Sequence, residues 1–234
     1  MKKLFLTGGT SGIGFSILEK FSQNDWKVYS TFNKNQINSK LLKKKYPKNE
    51  YLKMNLYSNN SIDRATRKIQ EGLDAIILNA SDTMFVPKEN FKKLSPALFE
   101  KYVNINLISQ YRIIYNLIPR LNLNSNIILI SSIASKNGVG SNVAYSASKA
   151  ALNNLAKSLT KILGNKVQIN CIAPGLMKTN FTSKFSEKYF RNYKINTPTK
   201  KLTTPNNIAS VAISICLNFE NFSGQTIFID GGAS

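Results

Sequence analysis

The chain has 234 residues, 42% of them hydrophobic and 19% charged, a balance that fits one α/β domain with a buried core and excludes a disordered or fibrous chain. Histidine is absent and the two cysteines, Cys171 and Cys216, have no metal or redox spacing, so a zinc site is excluded and no metal is expected. The formal net charge of +20 fits either a polyanionic partner or a lysine-rich composition, since the lysines are scattered and not gathered into one stripe with interleaved aromatics.

Apolar strands alternate with amphipathic helices from the first residues onward. Lys3 to Thr7 reads as a short strand, followed by a glycine-rich turn. Ile13 to Asn24 has Phe15, Leu18 and Phe21 on one helical face. Trp26 to Phe32 is a second strand, and Asn35 to Tyr46 a helix that Pro47 stops. Tyr51 to Met54 is a third strand and Ser61 to Glu71 a third helix. Leu73 to Leu78 is almost wholly apolar, as strands buried on both faces of a parallel sheet are.

Ser95 and Pro96 open a long helix that ends near Pro119. Asn126 to Ser132 is the fifth strand, Val143 to Leu163 a helix ended by Gly164, and Lys166 to Ile172 the sixth strand. Leu176 to Thr203 shows no clear periodicity and reads as a lid or binding loop. Thr204-Pro205 caps a last helix, and Gln225 to Ile229 is the last strand. Repeated βα units without a composition break predict one Rossmann-type, doubly wound, mostly parallel sheet with helices on both faces, spanning 1–234.

Between the first strand and first helix lies Thr7-Gly8-Gly9-Thr10-Ser11-Gly12-Ile13-Gly14. Glycines let the backbone approach a ligand closely, and a helix N-terminus offers free N–H groups and a positive dipole end. Both suit a pyrophosphate. The spacing of Thr7, Gly8, Gly12 and Gly14 resembles that of the short-chain dehydrogenase/reductase family, in its short single-domain branch. In dinucleotide folds an acid after the second strand holds the ribose 2′-OH of NAD. Here Asn33 and Lys34 stand there instead, which favours NADP(H) over NAD(H).

Tyr145 and Lys149 are four positions apart, so a helix puts them on one face. A cation beside a phenol lowers its pKa toward working pH, as a general acid/base requires. Ser132 ends the fifth strand, at the sheet edge where ligands bind in such folds, and its hydroxyl can meet a carbonyl oxygen. The resemblance implies a tetrad: Ser132 holds the substrate oxygen, Tyr145 transfers the proton, Lys149 tunes Tyr145 and binds the nicotinamide ribose, and Asn106 supports a proton-relay water. Asn104 is a near neighbour that the pattern alone does not separate from Asn106.

The resemblance runs from Leu4 to Gly232. It implies cofactor contacts from Gly8, Thr10, Ser11, Gly12, Ile13 and Gly14, then from Asn33, Lys34, Asn55, Asn79 and Ala80. Further contacts come from Tyr145 and Lys149, from Ile172, Pro174 and Gly175 around the sixth strand, and from Thr179. The family's Asn-Asn-Ala-Gly element reads Leu78-Asn79-Ala80-Ser81 here, and Asn55 stands where an Asp often contacts adenine. Homotetramers or dimers packed through the fourth and fifth helices and the last strand are likewise implied.

Leu176 to Thr203 carries Lys178, Lys184, Lys188, Arg191, Lys194, Lys200 and Lys201 against one acid, Glu187. That suits an anionic carbonyl substrate, carrier-bound or small, or it is the same lysine bias seen elsewhere. The chain resembles 3-oxoacyl-[acyl-carrier-protein] reductases, so a 3-oxoacyl thioester reduced to a secondary alcohol leads. A sugar-derived or other small ketone, and a non-enzymatic nucleotide sensor, stand as alternatives. No nucleic-acid module accompanies the charge, no run has the length of a membrane span, and the opening apolar run is too short for a signal peptide. A cytoplasmic location with no nucleic-acid or membrane partner is expected.

Overall fold

The computed structural model describes residues 1–34, 36–70, 72–179, 182–183 and 185–234. Asn35 and Glu71, read above as helix ends, and Lys184 of the basic segment lie outside the described residues. The strands are β1 (Lys3–Leu6), β2 (Lys27–Phe32), β3 (Glu50–Lys53), β4 (Leu73–Leu78), β5 (Leu121–Ile130), β6 (Val167–Pro174) and β7 (Thr226–Ile229). They form one sheet in the order β3-β2-β1-β4-β5-β6-β7, with every pair parallel. The expected doubly wound architecture is therefore present.

The period-2 pleat splits the strand side chains between two cores. Phe5, Ile76, Leu78, Ile127 and Leu129 face α3 (Asn59–Arg67), α5 (Ser109–Leu117) and α7 (Val143–Leu163). Leu4, Leu6, Ile77, Ile128 and Ile130 face α1 (Gly12–Gln23), α2 (Gln36–Lys45) and α9 (Pro205–Asn218). The strand order reverses between β1 and β4, and the crevice beyond their carboxyl ends is where such sheets bind ligands. Among the described residues, no helix is long and apolar enough to cross a membrane.

Three differences from the sequence reading bear on the site. The long helix after Ser95 is α4 (Pro96–Val103), a π-helical segment Asn104–Ile108, and then α5. The extra residue of a π turn leaves the apolar pattern almost unchanged, so periodicity does not reveal it. β5 stops at Ile130, so Ser132 lies two residues beyond the strand, ahead of the short α6 (Ala134–Asn137). The segment 176–203 is not wholly irregular, because α8 (Glu187–Asn196) starts at the Ser186 cap. Only Phe190 of α8 is buried, which is why its apolar face was hard to read.

Candidate active site

The glycine turn joins β1 to α1 at the switch point. Gly8 and Gly12 have φ of +71° and +54°, a region that favours glycine. A Cβ on Gly14 would sit 2.1 Å from the Gly8 carbonyl oxygen. A Cβ on Gly12 would meet no protein atom within 4 Å, so this part of the backbone faces open space. The Ser11 cap of α1 makes no side-chain hydrogen bond to the helix, leaving the first amides to an external acceptor. A bare glycine backbone facing open space, backed by a helix N-terminus, fits a dinucleotide pyrophosphate.

Polar groups weld this turn to the end of β4. Thr7 Oγ1 accepts from the N–H groups of both Asn79 and Ala80, each at 2.9 Å. Asn79 Nδ2 donates to the carbonyls of Thr7 (3.0 Å) and Gly8 (3.4 Å). Thr31 Oγ1 accepts from Gly8 N at 3.2 Å. Gln110 Nε2 donates to Ala80 O at 3.0 Å, which pins the turn where Ser81 replaces the expected glycine.

Tyr145 and Lys149 lie on the first turns of α7. The helix begins at Asn142, whose Oδ1 accepts from Tyr145 N at 2.9 Å. The Tyr145 hydroxyl is hydrogen-bonded to Ser132. Lys149 is 3% exposed, and its Nζ lies 5.6 Å from the Tyr145 ring and donates to Ile130 O at 2.7 Å. Burial pushes the Lys149 ammonium down to about 8 from 10.5. The expected lowering of the Tyr145 pKa is corrected: burial raises it, and the Ser132 hydrogen bond only partly opposes that rise. The reason is that Lys149, itself desolvated, directs its ammonium at the end of β5.

Asn106 is wholly buried in the π segment, whereas Asn104 is exposed, which separates the two. Asn106 Oδ1 accepts from Asp82 N at 3.1 Å and its Nδ2 donates to Asp82 O at 2.8 Å. Its side chain thus anchors the loop after β4, which Asn142 also ties to the start of α7.

The family model described as Enoyl-(Acyl carrier protein) reductase matches residues 8–234. The chain belongs to the short-chain dehydrogenase/reductase family. It is similar to the 3-oxoacyl-[acyl-carrier-protein] reductase FabG of Aquifex aeolicus (strain VF5), at 28% identity over 99% of this chain and 96% of that one. The structure is similar to that of a Brucella melitensis short-chain dehydrogenase/reductase described as a glucose/ribitol dehydrogenase, with a TM-score of 0.92 and 25% identity over 100% and 96% of the two chains. The Pseudomonas aeruginosa RhlG/NADP complex shares the fold, with a TM-score of 0.89 at 24% identity over 99% and 96%.

As an oxidoreductase of this short-chain family, the protein gathers most of its expected site residues at the carboxyl edge of the sheet. Asn33 and Lys34 are exposed just past β2. Thr10 is buried, and its carbonyl accepts from Asn38 Nδ2 at 3.3 Å. Asn55 Oδ1 accepts from Tyr57 N at 3.0 Å, so that atom is engaged in the turn after β3. Pro174 ends β6 with its carbonyl accepting from Ile133 N, and Gly175 N donates to Ile229 O, both at 2.9 Å. Thr179 is half-buried and bonded to Thr182. Ile172 is a correction: it is 0% exposed and packs into the α1–α9 core, so its side chain faces no crevice.

Sequence reasoning missed Asn142 and Asp82. The Asn142 cap had a legible signal, an Asn directly before a helix start. The role of Asp82 had none, because it engages Asn106 through its backbone. Of the basic residues in 176–203, Lys178 pairs with Glu187 at 2.6 Å, while Lys188, Arg191, Lys194, Lys200 and Lys201 are exposed.

Proposed function

We propose that the protein is an NADPH-dependent reductase that converts a 3-oxoacyl thioester to the secondary alcohol. The observation that carries this reading is the Ser132–Tyr145 hydroxyl pair, one helical turn from buried Lys149 and at the same carboxyl edge of the sheet as the glycine cradle. The backbone of Gly8, Ser11, Gly12, Ile13 and Gly14 would hold the pyrophosphate. Asn33 and Lys34 would meet the 2′-phosphate, Asn55 the adenine, and Ala80, Pro174, Gly175 and Thr179 the remainder. NADPH, when bound, supplies the hydride for the carbonyl carbon.

Ser132 donates to the carbonyl oxygen and Tyr145 delivers a proton to it as negative charge develops there. Lys149 binds the ribose hydroxyls. Its positive charge also stabilises the phenolate that Tyr145 leaves behind, which matters because burial alone disfavours that anion. Asn106 holds the relay geometry through the Asp82 loop, and with both amide atoms engaged its water contact would run through its main chain. The similarity to the Aquifex aeolicus reductase supports the thioester substrate. The exposed basic face of α8 supports an anionic carrier. Ile108, Tyr111 and Tyr115, exposed at helical spacing along the π segment and α5, support a homo-oligomer.

The test is loss of NADPH absorbance with an acetoacetyl thioester and, separately, a crotonyl thioester, beside Tyr145→Phe. Reduction of the acetoacetyl thioester alone, lost in the variant with NADPH binding retained, is expected. Reduction of the crotonyl thioester instead would move the chemistry to a carbon–carbon double bond. Inertness toward both, with reduction of an anionic sugar ketone, would change the substrate class. Tighter binding of NADH than NADPH would overturn the cofactor assignment, and Lys34→Glu is expected to weaken NADPH alone.

A further inference from the structure

The loop after β4 and the 176–203 segment meet in an aromatic contact that the chemistry above does not use. Phe85, on the loop after β4, is 48% exposed. Its ring meets that of Phe185 edge to face, with centroids 5.5 Å apart and planes at 89°. Phe185 stacks on Tyr189 at 4.7 Å and sits edge-on to buried Phe190 at 6.3 Å. Phe185 is therefore held from behind by α8, while Phe85 stands in front of it.

Both sides of this contact are fixed to the reacting groups. Val86 N donates to Ser141 O at 2.8 Å, and Asn142 Nδ2 donates to Thr83 Oγ1 at 2.9 Å and Met84 O at 2.7 Å. Asn142 also caps the helix at Tyr145, so Phe85 rides on the framework that places Tyr145. On the other side, 176–203 leaves β6 at Pro174, whose carbonyl is bonded to Ile133 N next to Ser132. The ring pair thus ties the loop beside Tyr145 to the segment beside Ser132. Edge-to-face rings at this separation are in van der Waals contact, so no methylene chain passes between them.

We infer that Phe85 and Phe185 are specificity-determining residues that limit the length of the apolar substituent on the substrate carbonyl. The inference rests on the carbonyl-reductase reading. A short 3-oxoacyl group fits inside the ring pair, and a longer chain must force the rings apart. Because Phe85 is half exposed, its truncation opens the path without emptying the core.

The test compares kcat/KM for four-carbon and ten-carbon 3-oxoacyl thioesters of N-acetylcysteamine, and for 2-butanone and 2-octanone, in wild type, Phe85→Ala, Phe185→Ala and Phe85→Tyr. In Phe85→Ala and Phe185→Ala the long-to-short ratio is expected to rise about tenfold or more, the scale of a few methylenes admitted to a pocket. Phe85→Tyr keeps the ring and is expected to keep the ratio. An unchanged ratio in both alanine variants would overturn the inference alone. A selective loss of the long substrate in them would also overturn it, since the rings would then bind the chain and not exclude it. Thioesters that are inert while the ketones react would defeat the thioester reading, and the ketone ratio would then decide the inference. Reduction of neither series would defeat the reductase reading and this inference together.

Discussion

Gly14 and Gly12 are both in the cradle, yet alanine at each should fail for a different reason. At Gly14 the new Cβ would lie 2.1 Å from Gly8 O, 2.7 Å from Asn79 Nδ2 and 2.8 Å from Gly8 C, all well inside ordinary contact. Two of these atoms are backbone, and the third is held by its bonds to Thr7 and Gly8, so none can rotate away. Overpacking of this kind costs about 3 kcal/mol, the upper end of the usual range, or about 6–12 °C in Tm for a chain of this length. At Gly12 a Cβ meets nothing, and only the φ of +54° is penalised, at about 1 kcal/mol or about 2–4 °C. Its methyl would, however, enter the space assigned to the pyrophosphate. Thermal unfolding by circular dichroism at fixed protein concentration, beside NADPH titration by fluorescence, separates the two. Gly14→Ala should lose both stability and binding, and Gly12→Ala should lose at least about tenfold in NADPH affinity with a small change in Tm. Equal Tm values would refute the packing argument. Unchanged NADPH affinity in Gly12→Ala would refute the cradle.

The folded-state pKa of Lys149, about 8, lies below its usual 10.5, so below about pH 8 the buried ammonium costs stability, and that cost is relieved as pH rises toward 10.5. The stability of wild type relative to Lys149→Met should therefore climb by about 3 kcal/mol between pH 8 and pH 10.5 in urea unfolding; a flat difference would show that the ammonium is not desolvated. Asn106→Leu removes both bonds to the Asp82 backbone and should cost about 3 kcal/mol together with most of kcat, read by unfolding and NADPH oxidation. Thr204→Ala breaks the reciprocal capping of α9 with Asn207 and should cost about 1 kcal/mol in urea unfolding without altering NADPH affinity.

The βα alternation was legible because each element carries its own period: the almost wholly apolar Leu73–Leu78 run became β4 without a change of boundary. Tyr145 and Lys149 were legible because helical spacing alone puts them together, and the helix over Val143–Leu163 has the expected ends. What escaped was the destination of polar side chains. An Asn reads the same whether it faces a ligand or a backbone, and Asn79 and Asn106 are both directed at main-chain groups. Lys149 stands one turn from Tyr145, as the spacing requires, but the bond from its ammonium to the Ile130 carbonyl is set by how α7 packs on β5 and has no signal in the sequence. Ile172 was expected to contact the cofactor, yet strand alternation turns its side chain into the α1–α9 core. The break at Asn104–Ile108 is a change of hydrogen-bond step within an unchanged apolar face.

Thr7 Oγ1 joins the two halves of the sheet where their winding reverses, by accepting two amides from the other side of the crevice. Little of the cradle therefore has to be organised when a dinucleotide arrives, and the entropy of ordering that loop is spent during folding, not during binding. The same hydroxyl makes the halves mechanically interdependent. Loosening the β4 end also loosens the glycine turn, so a ligand held by one half acts as a brace for the other and raises the unfolding temperature of both by mass action.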